Sequence, residues 1–108
     1  IDFNPGVGAP IYAIADGVIS QAEDGNGGYG NFLYIDHGNL LGDGVNVQSL
    51  YAHMQHGSST WQVGDAVKVG DFLGTVGQTG QATGPHLHFE LLLDGVQVDG
   101  FAWLRANA

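Results

Sequence analysis

The chain has 108 residues, no Cys, and 2 Lys and Arg against 11 Asp and Glu, a formal charge of −9 at pH 7. That length suits one domain with one core, and without cysteine there can be no disulfide or thiolate metal site, so any metal would be held by His, Asp or Glu. Lys68 and Arg105 are the only cations, which argues against nucleic acid or an anionic membrane surface as partner, and no apolar run is long enough to span a bilayer.

Nineteen glycines, without the period of collagen, punctuate short runs of β-branched and aromatic residues. This is the pattern of many short strands joined by tight turns. In chain order the runs predict strands at 11–15, 18–22, 32–36, 45–52, 66–69, 72–76, 86–93 and 96–98. Asp16-Gly17 and Asp94-Gly95 read as hairpin turns. Residues 23–31, 37–44 and 55–60 are polar and Gly-rich, the composition of loops that line grooves. A helical turn over 101–106 would close the domain. No segment has a sustained 3.6-residue apolar period, so the expected fold is all-β, a compact two-sheet antiparallel β-sandwich or barrel-like domain with long groove-lining loops. Phe3, Ile11, Phe32, Ile35, Leu50, Val76, Leu87, Phe89 and Leu91 are the expected core.

The chemistry concentrates in Gly84-Pro85-His86-Leu87-His88-Phe89-Glu90. Successive side chains of a strand point to opposite faces, so His86, His88 and Glu90 share one face and Leu87, Phe89 and Leu91 the other. Two imidazoles on one rigid face can bind a transition metal, or divide metal binding and proton transfer between them. The same pattern also fits two polar residues on the wet face of a half-buried strand.

Four segments, taken together, carry a resemblance: Ile1-Asp2-Phe3, Tyr51-Ala52-His53, Gly77-Gln78-Thr79-Gly80 and Thr83 to Glu90. In this order they resemble the lysostaphin-like (LytM-type) zinc metallopeptidases, which cut peptide cross-links in bacterial cell walls. Gly8-Ala9-Pro10-Ile11-Tyr12-Ala13, Ala15-Asp16-Gly17-Val18-Ile19 and Ile35-Asp36-His37-Gly38 match as well, so the resemblance covers nearly the whole chain. It implies a Zn2+ cofactor held by Asp2 and His88, and catalytic roles for His53 and His86 beside the metal, with the division of labour between those two left open. The family's first ligand, a His, would lie three residues before Ile1. Residues 1–108 are therefore expected to be a single peptidase domain truncated just upstream of Ile1, and the chain opens without an initiator Met. Gly100, where the family often has Pro, departs from the pattern at a turn.

A catalytic zinc typically keeps three protein ligands and one open position, and two His with one Asp form a suitable set. Around that set, Glu90 either orients a ligand His or faces solvent. Tyr29 and Tyr51 either line a groove or pack. His37 reads as a structural strand-end residue and His56 as a loop residue. The implied function is hydrolysis of peptide cross-links or stem peptides of peptidoglycan. The alternative is a non-catalytic relative that binds the wall or activates a hydrolase. A third pattern, residues 63–76 around Lys68, resembles biotinyl carrier domains, but Lys68 lies in a strand pattern instead of an exposed turn. The implied partners are peptidoglycan peptides, within a larger multidomain or virion protein. The implied location is extracellular, in the cell wall or periplasm, or on a virion.

Overall fold

The computed structural model describes residues 2–3, 6–25, 27–80, 84 and 87–107, with backbone alone for Asp2, Phe3, Phe101, Leu104, Arg105 and Asn107. The strands are β1 (Asp2–Phe3), β2 (Pro10–Tyr12), β3 (Gly17–Asp24), β4 (Asn31–Gly38), β5 (Val47–Met54), β6 (Ala66–Val67), β7 (Phe72–Thr75), β8 (Leu87–Leu93) and β9 (Val96–Val98), followed by a helix, α1 (Gly100–Asn107). The main sheet runs β1-β8-β5-β4-β3-β6, with β9 also on β8, and β2 pairs β7 in a second sheet. The pairings are antiparallel, so the chain adopts the expected all-β, two-sheet architecture.

Local chemistry explains the joints. Asp94 and Gly95 have φ of 50° and 80° between the paired residues Leu93 and Val96, the doubly left-handed geometry of a two-residue hairpin turn. Asp16-Gly17, expected to turn a second hairpin, does not: β2 and β3 lie in different sheets. Gly17 is there for close approach instead, since a Cβ would stand 2.6 Å from the Asp36 carbonyl oxygen. Asp16 joins segments, its carboxylate accepting the Val69 N–H at 2.8 Å. The predicted helical turn is a full helix, with the Asp99 carboxylate accepting the Ala102 N–H at 3.2 Å as an N-cap.

The principal core fills the space between the sheets with Ile11, Ile19, Leu33, Ile35, Val47, Tyr51, Met54, Leu73, Val76, Phe89 and Leu91. Five of the residues expected in the core are in it. Leu87 is half-buried against it, and the Phe3 side chain lies outside the described residues. Phe32 and Leu50 are buried too, but with Ala52 in a smaller cluster covered by Tyr29 and Tyr34. Cross-strand register shows why. Leu33 faces Tyr51 and Tyr51 faces Phe89 on the core side, while Tyr34 faces Leu50 and Leu50 faces Glu90 on the other. Both faces of the main sheet are therefore covered near β4 and β5, one by aliphatic packing and the other by aromatic side chains that border the site.

Candidate active site

β8 presents His88 and Glu90 on the second face. Ala52 of β5 pairs with His88 on one edge, and Asp2 of β1 pairs with His88 on the other. His88 therefore sits where three strands meet. Its Nε2 is 2.7 Å from Glu90 Oε2, and Glu90 is buried. Glu90 therefore faces the His88 ring, not solvent.

His53 reaches the same place by breaking the strand rule. Tyr51 and Met54 belong to the core and Ala52 to the other face, so strict alternation would aim His53 into the core. Its φ is 61°, a left-handed conformation uncommon outside glycine but more accessible to His than to most residues. The β4–β5 register slips here, between Asn31 and Leu33, as at a bulge that re-aims a side chain. The expected strand end at Ala52 is thus a kink inside β5. After it, His53 N–H donates to the Tyr29 carbonyl at 2.8 Å and its carbonyl accepts from Gly77 N–H at 3.1 Å. The His53 and His88 ring centroids are 5.9 Å apart.

Thr79 holds the His53 ring. Its carbonyl oxygen is 2.7 Å from His53 Nδ1. A carbonyl can only accept, so Nδ1 carries the hydrogen and Nε2 is the acceptor nitrogen of the neutral ring. Thr79 is itself pinned, donating its hydroxyl to the Met54 carbonyl at 2.5 Å and accepting the Asn31 N–H at 3.0 Å. The loop carrying Tyr29 packs directly on this segment. A Cβ on Gly30 would lie 2.4 Å from the Thr79 carbonyl carbon, and both Gly30 and Gly80 have positive φ, so neither position admits a side chain.

Tyr29 completes the wall. Its ring stacks on His88 with centroids 5.7 Å apart and planes at 21°. Its hydroxyl donates to Glu90 Oε2 at 2.6 Å. The bond to Glu90, then burial, push its pKa upward, so the phenol stays protonated. Gly28, Tyr29, His53 and His88 line an open groove of about 270 Å³. A separate apolar hollow of about 210 Å³, lined by Ile11, Tyr12, Leu87 and Phe89 among others, uses the core-side residues of β8 and holds none of the histidines.

The site thus brings together the backbone of Asp2 with the side chains of His53 and His88. His86 and the Asp2 carboxylate lie outside the described residues. Among the described residues, no group of three or more His, Cys, Asp or Glu could hold a metal ion. Tyr51 does not line the histidine groove: it is buried in the core, where it borders the apolar hollow, its hydroxyl accepts the Ile14 N–H at 3.2 Å, and burial pushes its pKa up to about 12. His37 is structural, bound to the Asp16 carbonyl and to Ser49. His56 is a loop residue paired with Asp24. The clamp by Thr79 is what sequence reasoning missed. Gly77-Gln78-Thr79-Gly80 is visible as a motif, but a main-chain carbonyl leaves no trace in residue identity.

The profile of Peptidase family M23 matches residues 1–100. The chain is 41% identical over 99 residues, 92% of its length, to the DD-carboxypeptidase/endopeptidase Mpg of Neisseria meningitidis, and covers 21% of that protein. It is 42% identical over 90 residues, 83% of its length, to the glycyl-glycine endopeptidase ALE-1 of Staphylococcus capitis, covering 23% of it. The catalytic domain of lysostaphin from Staphylococcus simulans superposes with a TM-score of 0.78 at 33% identity, covering 96% of this chain and 76% of that domain. The chain thus spans about a fifth of the length of the curated relatives it matches.

Proposed function

The chain belongs to peptidase family M23, a metallopeptidase family, and we propose that it is a zinc-dependent endopeptidase hydrolysing cross-links or stem peptides of bacterial peptidoglycan. The observation that carries this reading is convergence: His53 and His88 come from different strands into one groove, and Asp2 pairs directly with His88.

The donor chemistry fits zinc. A ligand imidazole characteristically gives its other ring N–H to a carboxylate, and Glu90 stands in that relation to His88 Nε2. In this reading His88 binds through Nδ1 and Asp2 through its carboxylate. The family pattern would set a third ligand, a His, three residues before Ile1. Zinc, when bound, supplies a Lewis acid that polarises the scissile carbonyl and makes water acidic enough to attack near neutral pH. His53, anchored through Nδ1–H to Thr79, offers Nε2 to accept the water's proton and return one to the leaving amine. His86 then takes the remaining role, a hydrogen bond to the developing oxyanion.

The names of the relatives support a wall peptide as substrate, one being a peptidoglycan DD-endopeptidase and another a glycyl-glycine endopeptidase. We take residues 1–108 to be one peptidase domain of a larger protein acting outside the cell, in the wall or periplasm, or delivered on a virion. The test is incubation of the full-length protein with purified sacculi, with and without a chelator, followed by mass spectrometry of released peptides. Chelator-sensitive release is expected, and the new termini identify the bond. Stoichiometric zinc and wall binding without release would instead make it a binding module.

A further inference from the structure

We propose that Tyr29 is a positioning residue for the metal centre, setting the orientation of the His88 ring through Glu90. The proposal rests on the reading of His88 as a ligand. One carboxylate oxygen, Glu90 Oε2, accepts from both Tyr29 Oη at 2.6 Å and His88 Nε2 at 2.7 Å. Glu90 therefore restrains the imidazole at its edge, and Tyr29 restrains Glu90. The Tyr29 ring also lies against the imidazole face, with planes 21° apart. Turning the His88 ring over would replace Nε2 by carbon and break the Glu90 bond. Tilting it would separate the stacked rings. Together the two contacts leave one ring orientation.

Tyr29 reaches the other histidine by a different route. Its main-chain carbonyl accepts the His53 N–H at 2.8 Å, and the rings of Tyr29 and His53 meet edge to face with centroids 6.4 Å apart. The hydroxyl reaches His88 through Glu90 and also meets the Tyr34 side chain. Removing it should disturb metal binding and leave the placement of His53 intact, because the ring and the carbonyl both remain.

The experiment measures zinc affinity by chelator competition, and the visible spectrum of the cobalt-substituted form, in the full-length protein. Tyr29→Phe is expected to weaken zinc binding about 10-fold and shift the cobalt bands, within the range usual for loss of a group supporting a ligand. Tyr29→Leu, which also loses the stack, is expected to weaken it about 100-fold. The melting temperature of metal-free Tyr29→Phe should match that of the parent. Parental zinc affinity and unshifted cobalt bands in Tyr29→Phe would overturn the proposal. So would a fall in metal-free melting temperature large enough to account for the lost affinity. His88→Ala separates the layers. If it still binds zinc, the ligand reading fails and the proposal with it. If it loses zinc while Tyr29→Phe does not, the positioning role alone is overturned.

Discussion

His37 and His53 begin alike and end differently. They are 9% and 7% exposed, and each places Nδ1 2.7 Å from a main-chain carbonyl, of Asp16 and Thr79 respectively. In each, Nε2 is thereby made the acceptor of the neutral ring. On the core face, His37 Nε2 meets the Ser49 hydroxyl at 2.7 Å. Ser49 has one hydrogen, so with neutral His37 it goes to Nε2, and the Tyr51 hydroxyl, 3.1 Å away, must donate to Ser49 in turn. The chain of donors ends in the Ile14 N–H at Tyr51, and every group is spent inside the core. On the other face the ring of His53 lines an open groove beside His88. Burial and anchoring do not separate a structural histidine from one proposed to be catalytic here. The neighbour of the ring does, Ser49 for His37 and His88 for His53.

The sharpest test substitutes four histidines in turn. His53→Ala should lower turnover of wall peptides by about 10²–10⁴-fold, the usual contribution of a general base, with zinc retained. His88→Ala should lose zinc as well as activity. His37→Asn should keep both in the fraction that remains folded. Metal analysis and peptide release on the purified variants decide it, and an inactive but folded His37→Asn would break the contrast. His86→Ala, like His53→Ala, should keep zinc and lose activity.

The two faces should also differ in what truncation removes. Leu91 is fully buried in the aliphatic core, and Leu91→Ala should cost about 2–5 kcal/mol in urea unfolding. Phe89→Ala should fall at the upper end of that range, since it also loses an edge-to-face contact with Tyr51 at 5.5 Å. An unchanged unfolding midpoint for either would contradict the inside and outside assignment of β8.

That assignment was legible in the sequence because β8 obeys a period of two, with Leu87, Phe89 and Leu91 inside and His88 and Glu90 outside. β5 obeys it only up to Ala52. The left-handed backbone at His53 reverses the rule for one residue, and alternation carries no sign of it; only the resemblance marked His53 as catalytic. Asp16-Gly17 misled for a related reason. Gly serves equally for a turn and for close strand approach, and the clash a Cβ would make with Asp36 exists only once β3 lies on β4. β1 went unpredicted because two residues hold too little pattern, although their pairing with β8 brings Asp2 to His88. The contact of Tyr29 with Glu90 joins residues 61 positions apart, a separation that local reading does not bridge.

The buried His37 should also leave a signature in pH. Burial holds its pKa below the ordinary 6.5, whereas in the unfolded chain it titrates near that value. Between the two values the unfolded state binds more protons, so stability rises with pH there. The contribution is complete above pH ~6.5 and is lost as pH falls through the lowered folded value. The melting temperature should therefore drop as pH falls below about 6.5, and His37→Asn should flatten that drop. An equal slope in the variant would assign the effect to other groups.

The smallest effect belongs to the exposed tie between Asp24 and His56, which links the end of β3 to the loop after β5. The Asp24 carboxylate is held below its ordinary 3.8, first by the hydrogen bond from His56, with the Gly57 amide adding to it. The Gly57 bond measures 2.8 Å. The two side chains are 50% and 42% exposed, so solvent screens most of the attraction, and the pair should be worth about 0–1 kcal/mol. Because the folded pKa is depressed, this contribution is present above pH ~3.8 and disappears as pH falls through the folded value. Asp24→Asn should thus lower the melting temperature by at most about 4 °C near pH 6, and by nothing once pH is low enough to protonate the carboxylate in both states. A penalty that persists undiminished at that low pH would show that Asp24 acts through packing or the Gly57 turn, and that its charge is immaterial.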